Sequence, residues 1–134
     1  MIGFVNDLIY VCAPAPLQIG VAQGIEELEP SFYQALCRDY ERKRDQLCSV
    51  LSRAGLSPYI PQGAYYILAD ARRLPGETSK DKAMNLLGRT GVATVPGSAF
   101  YHDEGGESML RFCFAKTESV LEEACQRLLR LERG

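Results

Sequence analysis

Apolar residues recur every three or four positions along residues 17–28, which is the spacing of one helical face. The apolar residues on that face are Leu17, Val21, Ile25 and Leu28. Gly20 and Gly24 lie on the same predicted helix, and because glycine weakens a helix we expect another backbone to approach them closely. Residues 1–11 are also strongly apolar. We therefore expect this N-terminal part to border a larger structure.

A second helical pattern covers residues 31–54 and is the clearest in the sequence. Its apolar stripe comprises Phe32, Leu36, Tyr40, Leu47, Val50, Leu51 and Ala54. Ser31 with Gln34 three residues later fits a capping box at the start, and Gly55 fits a left-handed residue at the end. A helix of this length exceeds what a small domain needs, so we expect it to connect to another domain.

Strands are predicted where β-branched and aromatic residues cluster, at residues 65–70, 92–95 and 109–115. Side chains alternate between the two faces of a strand. In the last strand one face therefore carries Leu110, Phe112 and Phe114, and the other carries Met109, Arg111 and Cys113.

Two shorter helices complete the pattern. The first is capped by Thr78 or Ser79 and closed by Gly91, and its predicted inward residues are Ala83, Met84 and Leu87. The second follows Thr117, and its predicted inner residues are Leu121, Ala124, Leu128 and Leu131. The order of elements predicts an α+β fold, a short β-sheet with helices packed on one face and preceded by a helical segment. We expect residues 1–30 to form that segment, bordering a large domain, and residues 31–134 to form a small domain.

Composition narrows the possible partners. The formal net charge is −2, and no basic stretch is interleaved with aromatic residues, so nucleic acid is not an expected partner. No apolar run is long enough for a membrane span, and residues 1–10 do not resemble a signal peptide. The five cysteines show no metal-ligand spacing and are odd in number. A soluble cytoplasmic protein with reduced thiols and no metal is the prediction.

Arg111 is the residue that most strongly suggests chemistry, because it lies in an otherwise apolar strand. A guanidinium that is even partly buried needs an anion. The residue alone leaves two possibilities open, an ion pair with an acidic side chain of the same fold or an anionic ligand.

Three short motifs are arranged around this arginine: PQGAYY at residues 61–66, VPGSAF at residues 95–100, and LRF at residues 110–112, followed by FAK at residues 114–116. In this order and at these separations they resemble the C-terminal portion of class I/II, fold-type-I aminotransferases that depend on pyridoxal phosphate. The resemblance is greatest to the branch with kynurenine, methionine and aspartate aminotransferases. It runs from residue 13 to residue 128 and implies the small domain with its adjoining helices.

The resemblance implies a substrate-binding role for four residues. Arg111 matches the arginine that binds the α-carboxylate of the amino-acid substrate, and Gly63 matches a position where the chain passes close to that substrate. Tyr65 or Tyr66 is expected to reach the substrate side chain, but strand alternation allows only one of them to face the site. Gly97, in the turn before the arginine strand, is expected to have a structural role instead, since a glycine there can adopt a positive φ.

The resemblance also implies what the chain lacks. The Schiff-base lysine and the other cofactor-binding residues of the family lie upstream in a large domain, and none of Lys43, Lys80, Lys82 and Lys116 has the flanking pattern of that lysine. We therefore predict no catalytic, cofactor-binding or metal-binding residue here. Pyridoxal phosphate is expected in the full-length protein, and the chain alone is predicted to be inactive. Expected partners are an amino acid and a 2-oxo acid, the large domain of the same enzyme, and a second copy in a homodimer.

Two other functional interpretations remain open from the sequence. One is a stand-alone amino-acid-binding module that uses the same fold. The other is a segment of a different fold-type-I enzyme, a carbon–sulfur lyase or an aminocyclopropane-carboxylate synthase, because these share the carboxylate-binding arginine.

Overall fold

The computed structural model describes Gly3, residues 13–102 and residues 104–133. They belong to two compact units, residues 1–36 and residues 37–134. Apart from Gly3, the apolar stretch predicted to border a larger structure lies outside the described residues. The domain boundary predicted at residues 30 and 31 stays a prediction.

Four α-helices and four strands form the regular structure. The helices are α1 (Ala15–Glu27), α2 (Pro30–Arg53), α3 (Ser79–Thr90) and α4 (Glu118–Leu128). The strands are β1 (Ser57–Tyr59), β2 (Tyr66–Asp70), β3 (Val95–Pro96) and β4 (Met109–Cys113). Short 3-10 turns occupy Gly97–Phe100, Glu104–Gly106 and Leu129–Arg133.

Helix α1 confirms the predicted helical pattern, and its apolar face is exposed. A side-chain carbon placed on Gly20 would meet no described atom within 4 Å, and one on Gly24 would meet only Leu28 at 3.9 Å. The close backbone approach expected at these glycines is therefore not found among the described residues.

Helix α2 begins one residue earlier than predicted. Pro30 is its first residue, a position where the missing N–H and the fixed φ of proline suit a helix. Ser31 therefore lies inside the first turn, and the predicted capping box on it is wrong. The predicted end is confirmed, because Gly55 has a φ of 80° and the Leu56 N–H donates to the Leu51 carbonyl at 2.9 Å.

The sheet is antiparallel with the order β1-β2-β4-β3. One face buries Ile67, Ala69, Leu110 and Phe112. These residues share a hydrophobic core with residues of three helices, Leu51, Leu86, Leu121 and Leu128 among them. The predicted α+β fold, a short sheet with helices on one face, is confirmed. Strand β3 is shorter and starts later than the predicted residues 92–95.

Helix α3 confirms the predicted cap but turns a different face inward. Thr78 and Asp81 form a capping box, and Gly91 closes the helix in a left-handed conformation. Ala83 is buried as predicted, but Met84 is 60% exposed and Leu87 38% exposed, so the prediction that these two face inward is wrong. The buried residues of α3 are Ser79, Lys82, Ala83, Leu86 and Thr90.

Two polar residues on the buried face of α3 explain why the pattern misled the prediction. Thr90 donates its hydroxyl to the Leu86 carbonyl at 2.7 Å. The Lys82 ammonium donates to the Gly76 carbonyl at 2.8 Å and the Glu77 carbonyl at 3.1 Å. Polar residues satisfied in this way can occupy inward positions.

In α4, Leu121, Cys125 and Leu128 are the buried residues. Ala124, which was predicted to be inward, is only half-buried because Cys125 takes that position.

Candidate carboxylate-binding site

Arg111 lies in the middle of β4 on the sheet face opposite the core. Its Cα partners are Leu68 on β2 and Val95 on β3. The alternation predicted from the sequence is confirmed, because Leu110 and Phe112 are buried and Arg111 is half-buried. The side chain thus projects from an apolar strand without entering the core.

Two aromatic rings contact the Arg111 guanidinium. Its Cζ atom lies 4.7 Å from the ring centre of Phe100 and 5.3 Å from that of Tyr66. Both distances are within the range of cation–π attraction. The rings therefore hold the cation in place while leaving its N–H edges free for hydrogen bonds.

The hydrogen-bonding capacity of Arg111 is not satisfied within the described part of the chain. Its Nε atom is buried and has no hydrogen-bond partner there. No described acidic side chain forms an ion pair with it. A buried donor of this kind costs free energy unless an acceptor is supplied. The geometry suits an anion that comes from outside these residues.

Of the two tyrosines, only Tyr66 lies within strand β2 on the face of Arg111. Tyr66 is half-buried and shares the Arg111 face, whereas Tyr65, at 53% exposed, precedes the strand. The Tyr65 ring packs edge-on against the Tyr66 ring with centres 5.3 Å apart. The Tyr65 carbonyl accepts a hydrogen bond from the Phe114 N–H at 3.0 Å. Tyr66 is therefore the tyrosine that contacts Arg111.

Gly63 is exposed in the loop before β2. A side-chain carbon at Gly63 would meet no described atom within 4 Å. Nothing in the described chain therefore requires a glycine there, and the reason predicted for it, close passage of substrate, stays a prediction.

Phe100 was not predicted as a site residue, although it ends the VPGSAF motif. It closes the 3-10 turn Gly97–Phe100 and is 48% exposed. The motif marked a loop before the arginine strand, but only the folded chain shows that this loop brings a ring over Arg111. The cation–π contact was not visible in sequence because Phe100 and Arg111 are eleven residues apart and lie on different elements.

The turn that carries Phe100 is held by two glycines in contact. A side-chain carbon on Gly97 would collide with the carbonyl oxygen of Gly106 and would lie 2.7 Å from that of Met109. Gly97 is not among the described glycines with positive φ, which are Gly55, Gly76 and Gly91. The predicted reason for Gly97 is therefore wrong, because close backbone packing requires the glycine and not a left-handed conformation.

A polar latch ties the same turn to the N-terminus of α3. The Ser79 hydroxyl lies 2.8 Å from the Ser98 hydroxyl and 3.2 Å from the Ser98 N–H, which donates to it. The Ser79 N–H donates to the Glu107 carboxylate at 2.6 Å. A carboxylate at a helix N-terminus also satisfies an otherwise unpaired backbone donor. We call Ser79, Ser98 and Glu107 the latch.

Asp70 is an acidic residue on the same sheet face as Arg111, and it is already paired. Its carboxylate accepts from Arg72 Nε at 2.8 Å and Arg72 Nη2 at 2.6 Å. It also accepts from the Arg72 N–H at 2.9 Å. The side-chain hydrogen bond from Arg72, followed by the backbone one, lowers the pKa of Asp70 below its ordinary value.

Comparison with known proteins places the chain in a family. The family profile of aminotransferase class I and II matches residues 3–128. The chain belongs to this family. This confirms the resemblance drawn from the three motifs around Arg111.

Individual aminotransferases agree with that assignment. The chain is 34% identical to a kynurenine–oxoglutarate transaminase of Dictyostelium discoideum, over 90% of the chain and 32% of that protein. It is 34% identical to a methionine aminotransferase of Escherichia coli, over 95% of the chain and 33% of that protein. The structure of N-succinyldiaminopimelate aminotransferase from Mycobacterium tuberculosis superposes with a TM-score of 0.80 at 30% identity, covering 93% of the chain and 33% of that structure. The chain thus spans about one third of the relatives that it matches.

The four lysines of this aminotransferase-family chain either have other partners or are exposed. Lys43 pairs with Asp39 at 2.7 Å and lies over the Tyr40 ring, and Lys82 is bound to the two backbone carbonyls described above. Lys80 and Lys116 are exposed. Within the described residues, no hydrogen bond or ion pair joins any of these four lysines to Arg111, Tyr66 or Phe100.

Two of the four described cysteines fit structural roles. Cys48 and Cys125 are buried, and burial raises the pKa of both thiols, which makes them poor nucleophiles. Among residues 13–102 and 104–133 no group of three or more His, Cys, Asp or Glu side chains could hold a metal ion. None of the described helices is long and apolar enough to span a membrane.

Proposed function

We propose that this chain forms the substrate-carboxylate-binding part of a pyridoxal-phosphate-dependent aminotransferase, which transfers an amino group from an amino acid to a 2-oxo acid. In this proposal Arg111 binds the α-carboxylate of the amino acid and of the oxo acid in turn. The observation that supports it most is the buried Arg111 Nε, which lacks a partner in the described chain.

The chemistry of arginine suits this role. Its planar guanidinium offers parallel N–H donors that match the two oxygens of a carboxylate, whereas lysine offers only a point charge. With Tyr66 and Phe100 against the cation, the guanidinium is oriented before substrate arrives. An oriented anchor fixes where the amino group of the substrate lies, which is catalysis by positioning.

Tyr66 is the tyrosine that we assign to the carboxylate side of the site, because it shares a face with Arg111. Tyr65 is assigned to the outer rim, where its exposed ring can contact the substrate side chain. Gly63 is retained as the position at which the loop passes the substrate. The roles of Tyr65 and Gly63 rest on the family resemblance.

The cofactor is proposed for the complete enzyme and not for this chain. When bound, pyridoxal phosphate supplies the electron sink that amino-group transfer requires. The described lysines do not fit it here, since Lys43 and Lys82 are held by other partners and Lys80 and Lys116 are exposed. The chain's own contribution is to bind, orient and partly shield the substrate. The large domain, a homodimeric assembly and a cytoplasmic location are further parts of this proposal.

The alternatives from the sequence are not favoured. A stand-alone binding module, a carbon–sulfur lyase and an aminocyclopropane-carboxylate synthase remained possible on Arg111 alone. The relatives described above all have names of aminotransferases, which is the observation that separates these interpretations.

Replacement of Arg111 tests the proposal in the complete enzyme. Arg111→Gln removes a charge-assisted bidentate contact of about 1.5–3 kcal/mol, so kcat/KM should fall roughly 10- to 100-fold, and Arg111→Lys should recover only part of it. Arg89→Gln, the loss of an exposed arginine on α3, is the matched control and should leave kcat/KM unchanged. An Arg111→Gln enzyme with unchanged kcat/KM would refute the proposal.

A further inference from the structure

Arg111 and Asp70 are neighbours on one sheet face. Leu68 pairs with Arg111 and Met109 pairs with Asp70 across β2 and β4. Asp70 is two residues from Leu68 on the same strand, so Asp70 and Arg111 are diagonal neighbours on the half-exposed face. Diagonal Cα atoms in an antiparallel pair lie about 7–8 Å apart, within reach of a long side chain.

A carboxylate in this position competes with the carboxylate of the substrate for the Arg111 guanidinium. A guanidinium that pairs with an internal carboxylate has fewer free donors for the carboxylate of a ligand. Opposite charges on neighbouring strands attract each other, yet the Arg111 Nε has no partner among residues 13–102 and 104–133, and Asp70 is bound instead to Arg72.

Arg72 makes three contacts with the Asp70 carboxylate and reaches both of its oxygens. Two contacts come from its side chain and one from its backbone N–H. Arg72 itself is 74% exposed, whereas Asp70 is only 16% exposed. The exposed arginine therefore neutralises a largely covered carboxylate next to the site without entering the site itself.

We propose that Arg72 is a positioning residue that holds Asp70 away from Arg111 and so keeps the Arg111 guanidinium free for the substrate carboxylate. This inference rests on the proposed function of Arg111. It adds a role for a residue pair that does not touch the substrate, and it predicts that the loss of Arg72 is harmful only while Asp70 is present.

The first experiment measures the pKa of the Asp70 carboxyl group in the 134-residue chain and needs no substrate. The Asp70 pKa is followed by the ¹³C shift of its carboxyl carbon in Arg72→Ala and in Arg72→Ala combined with Arg111→Gln. If Arg111 captures the freed carboxylate, the pKa in the single variant is lower than in the double variant. Equal pKa values in the two variants would overturn the proposal, because Arg111 would then not have replaced Arg72.

The second experiment measures kinetics in the complete enzyme. Arg72→Ala should raise the KM for the amino acid about fivefold with little change in kcat, as expected for a new, partly exposed competing ion pair. Asp70→Asn added to Arg72→Ala should restore KM, whereas a merely structural loss would not be rescued. Arg73→Ala removes the same charge one residue away and should have no effect on KM.

The outcomes separate this inference from the proposed function. If Arg111→Gln raises KM but Arg72→Ala does not, Arg111 binds substrate and the role of Arg72 is wrong. If Arg111→Gln leaves kcat/KM unchanged, the proposed function fails, whatever the Asp70 pKa shows. Failure of Asp70→Asn to rescue Arg72→Ala also contradicts the inference.

Discussion

The Arg111 guanidinium is held by two aromatic rings, and its buried Nε has no hydrogen-bond partner in the part of the chain that the structure describes. Strand alternation places it on the half-exposed face of β4, and the Phe100 and Tyr66 rings lie 4.7 Å and 5.3 Å from its Cζ atom. Aromatic faces attract a cation without occupying its N–H groups. This arrangement restricts the side chain while keeping its hydrogen bonds available for an anion.

Phe100 gives the first prediction at the residue scale. Phe100→Leu removes one cation–π contact, which contributes about 1 kcal/mol at a partly exposed site, so the KM of the complete enzyme should rise roughly fivefold with kcat less affected. Phe100→Tyr keeps the ring and should keep the KM close to wild type. If leucine and tyrosine gave the same KM, the ring would have no orienting role.

At the same scale, the orientation of the Arg111 side chain could be predicted from the sequence, whereas the rings that contact it could not. The apolar alternation around residue 111 placed its side chain on the face opposite Leu110 and Phe112, as observed. The choice between Tyr65 and Tyr66 depended on where β2 begins, which the pattern did not fix. Phe100 was missed because its contact with Arg111 is made through space by a turn whose path depends on backbone packing.

At the scale of elements, α3 and the turn before β4 support each other. The latch joins the N-terminus of α3 to that turn, and Gly97 packs directly against Gly106. The position of Phe100 over Arg111 therefore depends on a helix end and a glycine pair as well as on the ring itself.

Two glycine substitutions test this dependence. Gly97→Ala places a carbon into the Gly106 and Met109 carbonyls, and overpacking of this kind should lower the free energy of unfolding by about 1–3 kcal/mol or more. Gly88→Ala lies inside α3, where the added side-chain carbon would meet no described atom of another element within 4 Å, and it should raise the free energy of unfolding by about 0.5–1 kcal/mol. Chemical denaturation of the two variants measures both values. A neutral Gly97→Ala would contradict the packing described for the turn.

Element prediction succeeded where a local signal was strong. The cap at Thr78 or Ser79, the left-handed Gly55 and the closing Gly91 were predicted, and the structure shows Thr78 as the cap and both glycines in the left-handed conformation. These signals could be recognised because each depends only on residues within one helical turn. The inward face of α3 was predicted wrongly, since Met84 and Leu87 are more apolar than the buried Lys82 and Thr90. Those polar residues are buried because nearby carbonyls accept their hydrogen bonds, a compensation that hydrophobic periodicity does not reveal.

At the scale of the whole molecule, the chain spans about one third of its aminotransferase relatives. The fold and the family could be predicted from the sequence because the helical stripes, the strand alternation and the motifs at residues 61–66, 95–100 and 110–116 agree with one another. Which amino acid is bound could not be predicted, because the residues that contact its side chain are not fixed by the carboxylate anchor alone.

The cofactor is proposed to bind in the complete enzyme and not to this chain, and this predicts how the chain alone behaves with pyridoxal phosphate. Incubation with one equivalent of pyridoxal phosphate, followed by borohydride reduction and mass spectrometry, should leave no lysine labelled in stoichiometric amount. Any labelling should be sparse and similar to that of the urea-unfolded chain, because the exposed Lys80 and Lys116 react without a binding site. Stoichiometric labelling of one lysine would show that this chain holds the cofactor itself.

The most direct test of the central claim is a crystal structure of the complete enzyme with a bound amino-acid substrate analogue. We expect the α-carboxylate of the analogue on Arg111, with the Nε atom and one terminal nitrogen each at about 2.7–2.9 Å from a carboxylate oxygen. Arg111 paired with an acidic residue of its own fold, with the carboxylate of the analogue bound elsewhere, would contradict it.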